Sequence, residues 1–275
     1  MTDQPRARTL DAFVRKGTPL LPGYSRRELS KVRLVARDTV VEVLSEVLNR
    51  SGTLYSWARG VQQPQALRGR APVFVATLPG AKTTTVVVRH AWHGGMLAPL
   101  TRDVFWRPSR APVELHISHV LRQCGIPTPE FVAYALYRVA PGLVRVDVAT
   151  EYIPESHDLA AVLADHVPDM SRAHAFEAIA TLLRQLASNG FVHPDLNVKN
   201  VLLYRDNALL TAAVLDVDVM QHIGAQHAGK ASQENYERFE RSLRKSVRQF
   251  GVVLSEDEIA TFRRKLLRHP LHSVV

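Results

Sequence analysis

The sequence predicts an α+β chain of two lobes, a β-rich first half followed by a mainly helical second half. Three observations predict it. Short alternating or β-branched segments (Lys31–Ala36, Phe74–Leu78, Thr84–Arg89, Phe131–Val139 and Leu143–Tyr152) dominate the first 152 residues. A long amphipathic segment, Arg172–Ser188, then sets a helical spacing, and charged helical sequence returns from Ser232 onward. The change of character falls near Tyr152–Pro154. The expected division is a polar tail over residues 1–21, an N-terminal lobe over 22–152 and a C-terminal lobe over 153–275.

Each element has its own signal. Lys31–Ala36 sets Val32, Leu34 and Ala36 against Lys31 and Arg33, the period of a half-buried strand. Asp38 is the expected N-cap of a helix running to about Leu48. Val40, Val41, Leu44, Val47 and Leu48 share one face of that helix, and Glu42, Ser45, Glu46 and Asn49 take the other. Pro79-Gly80 is a turn signal, so Phe74–Leu78 and Thr84–Arg89 read as a hairpin. Pro112 opens a helix with Val113, Ile117, Val120 and Leu121 in one stripe, and Gly125 ends it. In the second half, Phe176, Ile179, Leu182, Leu183 and Leu186 line one face of Arg172–Ser188, which Asn189-Gly190 closes. A polar loop, Phe191–Asn200, leads into two short strands, Val201–Tyr204 and Ala213–Leu215, around Arg205-Asp206-Asn207.

Composition narrows the class. With 275 residues, 46% apolar and 22% charged, the chain is neither disordered nor collagen-like. Its single cysteine, Cys124, rules out an internal disulfide, fits a reducing compartment and reads as a small core residue. The first residues carry no apolar core for a signal peptide. The longest apolar stretch, Ala208–Leu215, falls far short of the ~20 residues that span a bilayer. The expected location is cytoplasmic, or peripheral on a membrane face. Charge is uneven within the net +9: thirteen Lys/Arg against six acids over residues 1–70, twelve against fourteen over 71–229, and ten against six over 230–275. A slightly acidic centre between basic ends suits a metal-holding enzyme that meets an anionic partner, although solvated surface charge explains the individual runs as well.

The chemistry concentrates in His193-Pro194-Asp195-Leu196-Asn197-Val198-Lys199-Asn200 and in Asp216, after the next two strands. Phosphoryl transfer from a nucleotide asks little covalent help of a protein. It needs an acceptor hydroxyl aimed in line and cations that neutralise the developing charge. Asp195 is placed to take the hydroxyl proton. Asn200, five residues on, and Asp216, at the end of the hairpin, are candidate Mg²⁺ ligands. His193 and Asn197 are candidates for supporting the loop by hydrogen bonding. This order resembles the catalytic loop and metal-binding aspartate of the protein-kinase-like superfamily, which implies a two-lobed kinase-like fold with ATP and Mg²⁺ held between the lobes. Upstream, the glycine-bearing turn around Gly69 and Arg70 is the candidate cover for the nucleotide. Arg89 stands where protein kinases carry lysine and would hold phosphate, with Glu114 as its helix partner. Backbone groups of Glu151, Tyr152 and Ile153 are the candidates for holding adenine.

Several segments together resemble a narrower group. Val88-Arg89-His90, His93-Gly94-Gly95-Met96-Leu97, Glu114, Gly125-Ile126-Pro127-Thr128-Pro129, Asp195-Leu196-Asn197 with Asn200, and Arg238–Lys245 are similar in order to the lipopolysaccharide kinases, Kdo (3-deoxy-D-manno-octulosonic acid) kinases in particular. The likeness runs from about Gly69 to Lys245. It implies ATP-dependent phosphorylation of an inner-core sugar or glycolipid hydroxyl at the cytoplasmic face of the inner membrane. Pro194 departs from the small residue usual in that family, and Asp216-Val217-Asp218 lacks the usual aromatic residue. Two alternatives stay open: a kinase of the same fold acting on another small-molecule or protein hydroxyl, and a catalytically silent kinase-fold scaffold.

Other patterns carry less. His90-x-x-His93 and His116-x-x-His119 have metal-like spacing without an obvious third ligand. Arg241, Lys245 and Arg248 share a helical face, readable as a solvated surface or as a contact with lipid phosphates; Glu237 and Glu240 are spaced to pair with Arg241 and Arg244. Aromatic residues are not interleaved with the basic ones, which speaks against a nucleic-acid partner. Nothing in the sequence sets the oligomeric state.

Overall fold

A computed structural model describes residues 20–61, 65–67, 72–80, 84–92, 103–106, 110–250 and 254–267. They divide into two compact units, a sheet unit drawn from Lys16–His116 and Glu130–Tyr152 and a helical unit drawn from Ile117–Pro129 and Ile153–Val275.

The sheet unit is built on one antiparallel sheet: β1 (Tyr24–Leu29), β2 (Val32–Arg37), β3 (Gln65–Leu67), β4 (Val73–Thr77), β5 (Thr85–His90), β6 (Phe105–Trp106), β7 (Phe131–Ala140) and β8 (Leu143–Glu151). The strand order is β1-β2-β7-β8-β5-β4-β3, with β6 added to β8. The alternation read in β2 divides its residues between two cores, because successive side chains leave opposite faces. Leu34 and Ala36 join α1 (Val41–Ser51) and α2 (Leu54–Gly60) on one face. Val35 joins Phe131, Tyr134, Val146 and Val148 on the other, where Ala111 and Leu115 of α3 (Ala111–Gln123) also pack. A register shift between Phe131 and Ala133 turns Val132 and Ala133 both into the first core.

Two local expectations fail here. Asp38 does not cap α1: Val40 is the N-cap residue, no side chain caps it, and Asp38 Oδ1 accepts from Ser25 Oγ at 2.5 Å instead. A strand neighbour thus outcompetes the helix end for that carboxylate. Cys124 is exposed rather than in the core, because α3 ends one residue before it and Gly125 turns the chain.

The helical unit is centred on α5 (Arg172–Ser188), whose Phe176, Ile179, Leu182, Leu183 and Leu186 are all buried as their spacing requires. Around it lie α4 (Leu159–Leu163), α6 (Ala228–Phe250) and α7 (Glu256–Leu267). Phe262 of α7 touches Phe176 of α5 and Phe239 of α6 at ring-centroid distances of 5.3 and 5.5 Å, and burying one such ring stabilises by about 1.5–3 kcal/mol. Two small sheets complete the unit: β10 (Phe191–Val192) with β13 (Gln221–His222), and β9 (His157–Asp158), β11 (Val201–Asp206) and β12 (Leu209–Val214) in the order β12-β11-β9. The last hairpin is longer than its sequence signal, and Asn207 and Ala208 make its turn with positive φ. After α5, Gly190 takes φ +69°. A Cβ there would lie 2.2 Å from the backbone of Gly224, so only glycine fits that close approach.

Candidate active site

The segment that carries the chemistry leaves β10 at Val192 and enters β11, in the other small sheet, at Val201. Between them the chain has few regular bonds, so side chains hold it. His193 is fully buried and is the centre of that support. Its Nδ1 accepts from the Asp195 amide at 3.2 Å, which leaves Nε2 as the protonated nitrogen, donating to the Leu215 carbonyl at 3.0 Å. Burial pushes its pKa below the ordinary value, and the Leu215 carbonyl and nearby aspartates offset only part of that. A neutral imidazole with one fixed tautomer is what the two bonds require.

Asn197 supports the same turn: its Nδ2 donates to the Asp195 carbonyl at 2.8 Å and its Oδ1 accepts from the Lys199 amide at 2.9 Å. Asn200 is buried, and its Nδ2 also donates to the Asp195 carbonyl, at 2.9 Å. Its Oδ1, the atom a cation takes, has no hydrogen-bond partner among the described residues. The Asn200 carbonyl accepts from the Leu215 amide at 2.9 Å. Leu215 is therefore gripped through both of its backbone polar groups, the N–H by Asn200 and the carbonyl by His193. The next residue is Asp216, exposed and held at φ 51° and ψ 47°, the left-handed region that Asp tolerates better than most residues. Asp195 is also exposed. Its backbone is fixed while its carboxylate is left to solvent.

In the sheet unit, Arg89 of β5 forms an ion pair with Glu114 in the first turn of α3, with the guanidinium bridging both carboxylate oxygens. Glu114 is buried and Arg89 partly so, which makes this a held pair rather than a surface one. The amides of Glu151 and Tyr152 are already committed to Glu130 and Thr85 carbonyls at 2.8 and 2.9 Å, so of those three candidates only the Ile153 amide is unclaimed by the sheet. Gly69 and Arg70 lie outside the described residues.

Hard oxygen donors such as the Asn200 amide and the Asp216 carboxylate suit Mg²⁺ better than zinc. Among the described residues no group of three or more His, Cys, Asp and Glu is arranged to hold a metal ion. His90 spends both ring nitrogens on carboxylates, Asp147 at 2.5 Å and Asp103 at 3.2 Å. The Glu240–Arg244 pair forms, but Arg241 bonds the Glu237 carbonyl, and the Glu237 carboxylate accepts from Gln233. No described helix is long and apolar enough to cross a membrane.

Sequence reasoning missed two groups. Asp147 sits in an otherwise apolar run, and nothing local marks it as the buried partner of His90. The residues of α6 that bind the loop backbone are Asn235, Arg238 and Ser242; the last two lie in a segment that carries the resemblance, but none was assigned to the loop. Their spacing of three and four was the available signal.

Comparison with known proteins finds relatives over most of the chain. Residues 69–264 match the model of the lipopolysaccharide kinase (Kdo/WaaP) family. A 3-deoxy-D-manno-octulosonic acid kinase of Mannheimia succiniciproducens is 24% identical over 206 residues, covering 74% of this chain and 83% of that protein. One from Vibrio vulnificus is 29% identical over 182 residues, covering 64% and 71%. A solved structure of WaaP in complex with acyl carrier protein aligns with a TM-score of 0.47 at 17% identity, over 76% of this chain and 80% of that one. The family match spans more than half of the residues and takes in every described candidate above: this chain belongs to the lipopolysaccharide kinase family.

Proposed function

We propose that this protein transfers the γ-phosphoryl group of ATP to a hydroxyl of an inner-core lipopolysaccharide sugar, such as Kdo on a lipid A precursor. Residues 22–152 then serve as the nucleotide-binding lobe and 153–275 as the catalytic lobe. The observation that carries the reading is the grip on Leu215, which ties the Asp195–Asn200 loop to the residue before Asp216. Family membership and relatives named as Kdo kinases support the sugar acceptor.

In this reading Asp195 accepts the proton of the acceptor hydroxyl. The freed oxygen forms a bond to the γ-phosphorus, the bond from that phosphorus to the β–γ bridging oxygen breaks, and ADP leaves. Asn200 and Asp216 would hold Mg²⁺, which when bound neutralises charge on the phosphate oxygens. Arg89 binds phosphate bidentately, and Glu114 fixes the direction of its guanidinium. His193 and Asn197 hold the loop. The Ile153 backbone faces adenine. A lipid-borne acceptor places the reaction at the cytoplasmic membrane surface, where the exposed Arg241 and Lys245 of α6 would meet lipid phosphates.

The test offers sugar, glycolipid and protein acceptors with labelled ATP and Mg²⁺. Transfer to Kdo-bearing glycolipid alone is the expected result; transfer only to another acceptor, or to none, overturns it. Asp195→Ala should lower turnover by about 10²–10⁴-fold, the range for a lost general base, and leave ATP binding intact. Asp216→Ala should weaken Mg²⁺-dependent ATP binding as well.

A further inference from the structure

The loop's own residues do not account for all its support. Four of its main-chain groups, or those of the strand leading into it, are satisfied from α6. Asn235, fully buried, accepts from the His193 amide at 2.9 Å through Oδ1 and donates to the Phe191 carbonyl at 2.8 Å through Nδ2. Arg238 Nη1 donates to the Pro194 carbonyl at 2.6 Å. Ser242 Oγ accepts from the Val198 amide at 3.0 Å. Positions 235, 238 and 242 form one stripe of the helix, and the buried Ala231, Phe239 and Leu243 flank it and fix its rotation. The stripe thus reaches the loop on both sides of Asp195.

We infer that Asn235, Arg238 and Ser242 are positioning residues for phosphoryl transfer, with α6 acting as a splint that sets where the Asp195 carboxylate stands. The assignment deepens the proposed function and rests on it for its kinetic part. Asn235 acts furthest. By fixing the backbone of His193 it sets the direction of the imidazole, whose Nε2 reaches Leu215 and so the start of Asp216. Each contact goes to main chain, and the Asp195 side chain stays exposed. A base displaced by a fraction of an ångström loses rate without losing affinity for the nucleotide, because its work is done in the transition state.

The experiment uses the full chain and two readouts. Amide hydrogen exchange, measured without substrate, follows His193 and Val198, the two amides held by Asn235 and Ser242. Kinetics follow kcat and the KM for ATP. Ser242→Ala should speed exchange at Val198 by about tenfold, the value of one net hydrogen bond, with exchange in β7 and β8 unchanged. It should also lower kcat by about tenfold while KM for ATP moves less than about twofold. Ser242→Thr, which keeps the acceptor, should restore both. Arg238→Met should lower kcat, and Arg238→Lys should recover part of it. Asn235→Ala should speed exchange at His193 and cost the most in kcat. Should that buried change prevent folding, the Ser242 and Arg238 pairs still decide. Unchanged exchange at Val198, a loss shared equally by kcat and KM, or a loss that Ser242→Thr does not repair would overturn the inference. Absence of turnover in the wild type would sink the proposed function instead, and the exchange arm would still report on the splint.

Discussion

Among the described residues, His90 of the sheet unit is partly buried and His193 of the helical unit fully so, and the two are held in opposite ways. His90, in the sheet unit, faces carboxylates with both nitrogens: Asp147 at 2.5 Å and Asp103 at 3.2 Å. Burial works against its charge, but the two carboxylates outweigh it and keep its pKa above the ordinary value. His193, in the helical unit, faces main chain with both nitrogens, and burial lowers its pKa. The first is a strut between two carboxylates. Asp147, its fully buried partner, also accepts from the Tyr137 hydroxyl at 2.8 Å and the Tyr55 amide at 2.9 Å, while the Tyr137 oxygen accepts from the Leu54 amide. Two of the unpaired amides that begin α2 are thereby satisfied by residues about 80–90 positions away. The second histidine is a neutral spacer between two loops. The difference teaches that carboxylates buried in the sheet unit are spent on holding its elements together, whereas Asp195 and Asp216 are exposed.

Substitutions can break that contrast, beginning with the largest expected effect. Asp147→Ala leaves a buried imidazolium, a phenol and a helix-start amide without their acceptor, and should destabilise by about 3–5 kcal/mol in denaturant unfolding. A loss under about 1 kcal/mol would show that the strut is replaceable by water. His193→Ala removes one donor and one acceptor from part-buried main-chain partners. It should cost about 1–3 kcal/mol, and should also reduce turnover of the protein that remains folded. Normal turnover per folded molecule would refute the spacer role. The smallest effect is a pH slope. Because the folded pKa of His90 is raised, its contribution is fully present below about pH 6.5 and is lost as pH rises through the higher folded value. The groups around it are Asp147 and Arg145 of β8, Asp103, Tyr137 of β7, and the rings of Tyr55 and Trp92. Wild-type stability should therefore fall with rising pH in that window more steeply than that of His90→Gln. Parallel curves would mean the histidine is not charged when folded.

The same contrast explains what the sequence discloses. The hairpin around Pro79-Gly80, the stripe of Arg172–Ser188 and the Asp195–Asn200–Asp216 spacing are local patterns, and local patterns were readable. So was the Arg89–Glu114 pair, because resemblance supplied its two ends. The strand Tyr24–Leu29 was not, since its Tyr-Ser-Arg-Arg-Glu-Leu sequence has no apolar alternation and its place at the sheet edge demands none. Nor was α2: seven residues make a marginal helix alone, and its start is completed by Tyr137 and Asp147. Asp38 looked like a cap because its side-chain oxygen can accept from helix-start amides, yet Ser25 on the neighbouring strand claimed it. What stayed hidden for α2 is a pair of partners distant in sequence, and for Asp38 a partner on the neighbouring strand pair.

Leu215 is fastened solely through its own peptide atoms, donating to Asn200 and accepting from His193. Such a clasp is indifferent to the side chain it carries. Proline there, which has no hydrogen on its nitrogen, would open the clasp at one end and release the aspartate that follows.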